Sequence, residues 1–228
     1  MISILLPSRN RPDNIRRLWD SIVATADNLT AIEMIVAVDT DDPQLAAYVE
    51  LSKAEPIQLI VMDRTVLSIY WNECQKAAKG PIFMHCGDDI IFRTQGWDTQ
   101  VEDAFNEYED KIVFVHGDDG GGNGQNFGTH GFIHDNWVKA VGYFVPPYYV
   151  SDYNDTHLND VANMLSRRKY VDILTEHMHP AFGKGPMDIT HEERLTRHRD
   201  SGVDALYANN VEQRIQDSNK LREVMKCA

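Results

Sequence analysis

Residues 67–89, LSIYWNECQKAAKGPIFMHCGDD, contain the pattern that decides the fold. The first half carries apolar residues at helical spacing, and Gly80-Pro81 then ends the predicted helix. The second half, Ile82 to Cys86, is a short apolar run that leads directly into Gly87-Asp88-Asp89. The segment therefore predicts a helix, a buried strand and a pair of carboxylates at the carboxyl end of that strand.

The same alternation of strand and helix fills the chain before this segment and continues less regularly after it. Further strands are predicted at Ile2 to Leu6, Glu33 to Val38, Ile57 to Met62, Ile112 to His116 and Tyr170 to Leu174. Helical patterns separate them, including one from about Trp97 to Tyr108. Because repeated strand–helix units require crossover connections, we expect an α/β fold with a mostly parallel central sheet and helices on both faces.

The composition fits a single domain over residues 1–228. The chain is 43% hydrophobic and 25% charged, which supports a core that needs no disulfides. Its formal net charge of −13 counts against a broad nucleic-acid surface. The three cysteines show no disulfide or metal-ligand spacing, and the sequence shows neither a signal peptide nor a membrane-spanning stretch. We therefore expect a soluble, cytoplasmic protein.

Polar residues follow three of the predicted strands. They are Pro7-Ser8-Arg9-Asn10-Arg11, Asp39-Thr40-Asp41-Asp42 and Asp88-Asp89. Parallel strand ends share one edge of a sheet, which is where open α/β sheets bind ligands. Adjacent carboxylates suit Mg²⁺ or Mn²⁺, with substrate phosphate oxygens completing the ion's coordination.

Other candidate contacts have both a functional and a structural interpretation. Ser8, Arg9 and Arg11 suit a nucleotide's phosphate, ribose or base, while Asp39 suits the imide N–H of a base. The alternatives are solvated loop arginines, a helix cap at Asp39 and a simple turn at the paired acids. Further on, His177 and His179 follow a strand at a spacing that points both side chains the same way, toward a candidate ion.

These segments resemble the family 2 glycosyltransferases, which have the GT-A fold. The opening ISILLPSRNR resembles the family's first nucleotide-binding strand, and Val36-Ala37-Val38-Asp39 its second strand with a base-binding acid. The segment FMHCGDDIIF, residues 83–92, resembles its D-x-D segment. The resemblance covers about residues 1–188. It implies a metal-dependent enzyme that moves a sugar from a nucleotide diphosphate sugar, UDP-linked, to an acceptor hydroxyl.

The resemblance also implies roles for individual residues. Asp89 is the implied metal ligand, because Gly87 stands where the first acid of the D-x-D often lies. The segment with His177 and His179 resembles the family's late metal-binding histidine, without indicating which of the two it is. The implied donor-binding residues are Pro7, Ser8, Arg9, Arg11, Asp39 and Asp88.

Asp155 is the implied catalytic base. Residues 154–158, NDTHL, resemble the family's Glu-Asp segment with Asn in place of Glu. A carboxylate there takes the proton of the acceptor hydroxyl as the new C–O bond forms, and a single displacement inverts the anomeric centre. The alternatives are a helix N-cap at Asp155 and a rival base at Asp152.

The glycine-rich stretch at residues 117–124 predicts a mobile loop that orders over the donor and excludes water. A second metal site at Asp118 and Asp119 is the alternative. Residues 128–133, GTHGFI, resemble the family's strand and loop that shape the donor-sugar and acceptor pocket. The implied acceptor or lid residues are Asp119, Gly128, Thr129 and His130.

We interpret residues 1–95 as the nucleotide-sugar-binding half, 96–190 as the acceptor-side half and 191–228 as a helical tail. The stretch from Gly80 to Asp98 resembles small phage-encoded members of the family. Two other functions remain open, a nucleotidyltransferase acting on a nucleoside triphosphate and a non-catalytic nucleotide-sugar binding module. The sequence does not indicate the donor sugar, the oligomeric state or the acceptor, for which a protein, a glycan and a modified DNA base all remain open.

Overall fold

A mixed sheet runs through the centre of the protein in the computed structural model, which describes residues 1–227. The strands in this range are β1 (Ile2–Pro7), β2 (Ile32–Asp39), β3 (Ile57–Met62), β4 (Ile82–His85), β5 (Ile90–Phe92), β6 (Phe114–Asp118), β7 (Gly131–His134) and β8 (Arg168–His177). The helices are α1 (Pro12–Thr25), α2 (Leu45–Ala54), α3 (Leu67–Ala77), α4 (Trp97–Asn106), α5 (Asp135–Val141), α6 (Asn154–Leu165), α7 (Ile189–Ser201), α8 (Val203–Asn209) and α9 (Val211–Cys227).

The strand order is β3-β2-β1-β4-β7-β6-β8-β5. Strand β1 pairs in parallel with β2 and β4, β2 pairs in parallel with β3, and β6 pairs in parallel with β8. The remaining pairs, β4 with β7, β6 with β7 and β5 with β8, are antiparallel. The predicted α/β fold with a mostly parallel sheet is confirmed.

Two hydrophobic clusters cover the two faces of the sheet. Ile4 and Leu6 of β1 belong to one cluster, and Leu5, which points to the opposite face, belongs to the other. All three side chains are fully buried. A strand buried on both faces is typical of a parallel sheet covered by helices, and it gives the site a rigid base.

The short strand β5 and the helix α5 were not predicted, whereas β7 overlaps residues 128–133, the stretch that resembles the family's strand and loop at the pocket. The two strands have only three and four residues, and both pair antiparallel, outside the strand–helix alternation that carries the sequence signal. Strand β5 follows β4 in the chain and pairs with β8, so the end of β8 lies beside the segment that leaves the carboxyl end of β4. This pairing places His177, at the end of β8, opposite Ile90.

Helix α9 packs against α6 and holds it in place. Asp217 of α9 accepts a hydrogen bond from Tyr143 and lies 3.0 Å from His157 Nε2 of α6. Cys74 and Cys86 are buried free thiols, while the Cys227 side chain lies outside the described part of the chain. Across residues 1–227, no helix combines the length and apolar character that crossing a membrane requires.

Candidate active site

The structure brings the polar ends of β1, β2 and β4 together at one edge of the sheet. Ser8 Oγ donates to Asp88 Oδ2 at 2.7 Å, which links the end of β1 to the end of β4. Arg9 Nη1 donates to Asp39 Oδ2 at 2.7 Å, which links β1 to β2. Pro7 lines the same cavity, so the donor-binding residues implied by the sequence share one site.

The two adjacent carboxylates have different surroundings. Asp88 accepts hydrogen bonds on both oxygens, from Ser8 and from Arg11 Nη1 at 2.9 Å, and burial raises its pKa more than Arg11 lowers it. Burial would also raise the pKa of Asp89, but His177 and the nearby His191 outweigh it and hold that pKa well below its usual range. Asp89 therefore has the lower pKa of the two carboxylates.

His177 is the histidine that faces Asp89. Its Nε2 atom lies 3.2 Å from Asp89 Oδ2. His179, beyond the end of β8, accepts a hydrogen bond from the Ala181 backbone N–H on its Nδ1 atom at 3.1 Å. The two rings stay neighbours, with centroids 5.1 Å apart, and both line the cavity, but only His177 lies within 3.2 Å of Asp89.

Asp39 sits among cations and a phenol at the β2 end of the cavity. One of its oxygens accepts from Arg9 and the other accepts from Tyr70. Arg64 Nε lies 4.0 Å away. The alternative of a helix cap at Asp39 is not what the structure shows, since Gln44 occupies the N-cap of α2.

Asp155 and Asp152, the two candidates for a base, are distinguished by their partners. Asp152 accepts from Arg194 and lies 2.7 Å from His198 Nδ1, and these partners lower its pKa against the effect of burial. Asp155 pairs with no cation in the described chain, and burial raises its pKa to about 6. It occupies the first turn of α6 behind Tyr153, so it is not the N-cap. Asp155 is the stronger base of the two.

The glycine-rich loop contributes less to the cavity than the sequence suggested. Asp119 is buried, accepting from Thr129 Oγ1 at 2.5 Å and from the Gly121 backbone N–H at 2.8 Å. Gly128 packs against His116 and exchanges hydrogen bonds with Asn159. Thr129 and His130 do line the cavity. Asp119 and Gly128 therefore lie outside the cavity lining, next to Thr129 and His130, and support these two residues.

Helix α7 closes the cavity, and sequence reasoning missed its contribution. Asp188, the N-cap of α7, receives two hydrogen bonds from Arg11, at 2.6 and 2.7 Å. His191 Nε2 lies 4.0 Å from Asp89 Oδ2, while Arg194 and Arg197 also line the cavity. No signal in the sequence connects this polar helix to residues as distant in the chain as Arg11 and Asp89.

Within residues 1–227, no group of three or more His, Cys, Asp or Glu side chains is arranged to hold a metal ion. Asp89 and His177 nevertheless offer an oxygen and a nitrogen ligand 3.2 Å apart. Neighbouring ligands of one octahedral Mg²⁺ or Mn²⁺ lie about 3 Å apart, and such ions take most other ligands from phosphate and water. Two protein ligands fit that requirement.

The fold and this edge define the class of GT-A nucleotide-sugar transferases. A TarS fragment from S. aureus, residues 1–349, superposes with a TM-score of 0.60 at 13% identity, covering 98% of this chain and 80% of that one. A mannosyltransferase from Pyrobaculum calidifontis gives 0.60 at 11%, covering 100% and 74%. Glucosyl-3-phosphoglycerate synthase from Mycobacterium tuberculosis gives 0.59 at 16%, covering 87% and 75%.

Residues 3–174 match the model of glycosyl transferase family 2, and the chain belongs to that family. The predicted family and its GT-A fold are confirmed. The chain spans 43% of the longer S. aureus TarS structure that it resembles. No curated protein matches it. Helix α7 lies beyond the matched residues.

The opposite pKa shifts of Asp155 and Asp152 predict opposite effects on stability. Folding raises the pKa of Asp155 from 3.8 to about 6, so above pH 6 the ionised carboxylate costs the folded state about 1–3 kcal/mol. Folding lowers the pKa of Asp152, so its contribution stabilises above the unfolded pKa and is lost in acid. At pH 7.5, Asp155→Asn should raise the free energy of unfolding in urea and Asp152→Asn should lower it. A loss of stability in both variants would contradict the assigned environments.

Proposed function

We propose that the protein is a metal-dependent glycosyltransferase that moves a sugar from a nucleotide diphosphate sugar, UDP-linked, to an acceptor hydroxyl, with inversion. The observation that carries the proposal is one cavity that joins the ends of β1, β2 and β4 to Asp155 at the start of α6. Residues 1–95 would hold the nucleotide-sugar, and residues 96–190 would supply the base and the acceptor side.

The donor would lie along the edge of the sheet. Asp39, Arg9 and Tyr70 form the end suited to a base, since they offer a carboxylate, a guanidinium and a phenol together. Structural relatives support a nucleoside diphosphate. Structures of S. aureus TarS contain UDP or UDP-GlcNAc, one of the M. tuberculosis enzyme contains UDP with Mg²⁺, and the mannosyltransferase structure contains GDP-Man with Mn²⁺.

Asp89 and His177 would hold Mn²⁺ or Mg²⁺. Asp88 is excluded as the main ligand because both of its oxygens are already engaged, by Ser8 and Arg11. When bound, the ion would supply positive charge that offsets the charge developing on the departing diphosphate. Arg11, which bridges Asp88 and Asp188, would hold the carboxylates of this wall in place.

Asp155 would act on the acceptor. Its carboxylate accepts the proton of the acceptor hydroxyl while that oxygen bonds to the anomeric carbon, and the bond from that carbon to the diphosphate breaks with its electron pair. A base on one face and a leaving group on the other produce inversion in one displacement. Helix α7 restricts water at the opening of the cavity, which limits hydrolysis of the donor.

The metal assignment predicts different outcomes for two neighbouring histidines. We expect Mn²⁺ to tighten UDP binding in isothermal titration, and Asp89→Ala or His177→Ala to weaken that Mn²⁺-dependent binding by about 10–100-fold through loss of a ligand. His179→Ala should weaken that binding less than His177→Ala, because the His179 Nδ1 atom already accepts a hydrogen bond from the Ala181 backbone N–H. Unchanged Mn²⁺-dependent binding in Asp89→Ala would reject the metal site.

The base assignment predicts a pH dependence. Because a base must be ionised, the rate of UDP release should fall as the pH drops below about 6, the pKa to which burial raises Asp155. Asp155→Asn should lower kcat by about 10²–10⁴-fold and remove this fall in rate at low pH. Asp103→Asn, an exposed change on α4, controls for the loss of a carboxylate. If the fall in rate at low pH persists in Asp155→Asn and disappears in Asp152→Asn, the base is Asp152.

A further inference from the structure

Three buried side chains in the described chain carry two polar atoms that both lack a hydrogen bond of normal geometry. They are His85, His130 and Asn154. Each is more than nine-tenths buried. All three line the candidate active-site cavity. Buried polar groups in folded proteins are nearly always paired, so three unpaired groups in one cavity call for an explanation.

Their positions place them between the two ends of the proposed reaction. His130 lies beside the metal-binding wall, with its ring centroid 4.8 Å from that of His177. His85, at the end of β4, stacks on Trp71 with ring centroids 4.1 Å apart. Asn154 is the first residue of α6 and precedes Asp155. The transferred sugar must lie between the departing diphosphate and the base, which is the space that these side chains border.

A structural role does not account for them. Asn72 shows what a structural buried amide looks like in this protein, since it donates to the Ser68 and Val145 carbonyls and accepts from the Phe144 backbone N–H. Asn154 makes none of these contacts although it is equally inaccessible. Desolvating polar atoms without partners destabilises the folded state, and a polar ligand would restore the missing hydrogen bonds.

The chemistry of the three side chains specifies the ligand. Burial lowers the pKa of His85 to about 4, although a backbone hydrogen bond with Thr129 acts in the opposite direction. The His85 ring is therefore neutral at pH 7 and offers one donor and one acceptor, while the His130 ring presents two buried nitrogens to the same cavity. The amide of Asn154 offers both as well. Hydroxyl groups, which donate and accept, match this set.

No cation belongs to the set, and other charges disfavour an anion there. Asp155 carries no paired cation among the described residues, and Arg194 is already paired with Asp152. Arg9 and Arg64 lie instead beside Asp39, toward the nucleotide, and Arg197 lies near Arg64 and Glu193 at the same end of the cavity. A carboxylate on the sugar would thus meet the neutral imidazole of His85 and the neighbouring acid Asp155.

We infer that His85, His130 and Asn154 form the subsite for the transferred sugar and select a neutral, polyhydroxylated sugar over a uronic acid. This inference rests on the proposed function. It assigns a role to His85 and to the asparagine that replaces the glutamate of the family pattern.

Binding measurements separate the inference from the function on which it rests. Calorimetry with Mn²⁺ would compare UDP, UDP-glucose, UDP-galactose, UDP-N-acetylglucosamine and UDP-glucuronate, with GDP and GDP-mannose as a second series. We expect the best neutral donor to bind at least about 10-fold more tightly than UDP-glucuronate. Asn154→Leu and His85→Phe should weaken that donor about 10-fold or more while leaving the affinity for the free nucleoside diphosphate unchanged.

Each result has a distinct meaning. Failure of every nucleotide to bind would reject the proposed function itself. Binding of the free nucleotide together with UDP-glucuronate as tight as the best neutral donor would overturn the inference alone. So would Asn154→Leu and His85→Phe variants that retain the parent's affinity for that donor. His116→Phe, a buried histidine outside the cavity, is the matched control and should not alter donor selectivity.

Thermal unfolding gives an independent readout that needs no ligand. Asn154→Leu removes two unpaired polar atoms and should raise the Tm, whereas Asn72→Leu breaks paired hydrogen bonds and should lower it. A Tm for Asn154→Leu that falls as far as that of Asn72→Leu would show that Asn154 is a structural residue, and would overturn its place in the subsite.

Discussion

The pairing of β1 with β2 on one side and β4 on the other is the constraint on which the whole site depends. The ladder continues past the strands, because the Ser8 N–H donates to the Ala37 carbonyl at 2.9 Å and the Cys86 N–H donates to the Leu5 carbonyl at 3.1 Å. Since β1 is buried on both faces, the chain leaves the sheet at one defined point. Backbone hydrogen bonds, and not attraction between side chains, therefore bring three polar chain segments together.

The balance of charge in the cavity follows from this placement. Five aspartates line it, and three of them are paired: Asp39 with Arg9, Asp88 with Arg11, and Asp152 with Arg194. Asp89 has only imidazoles beside it, and Asp155 has no cation partner in the described chain. In the proposed reaction, a bound cation would neutralise Asp89, and the proton of the acceptor hydroxyl would neutralise Asp155. Pairing of the others leaves Asp89 and Asp155 available for the two separate roles that we propose for them.

The sequence predicted the part of the site that depends on local pattern. Strand ends are readable because a buried apolar run followed by Asp88-Asp89 has a defined position in a parallel sheet. Residues that reach the cavity through long-range packing were not readable. His191 and Arg194 lie on a polar helix with no strand–helix signal, and His85 lies inside an apolar run that gave no reason to single it out.

The most direct test of the account is a crystal structure of the protein with UDP and Mn²⁺. The account predicts one ion bound by Asp89 and His177 and by oxygens of the UDP diphosphate, with the uracil at the Asp39 end of the cavity. An Asp89 carboxylate turned away from the ion, with the nucleotide bound elsewhere on the molecule, would contradict it.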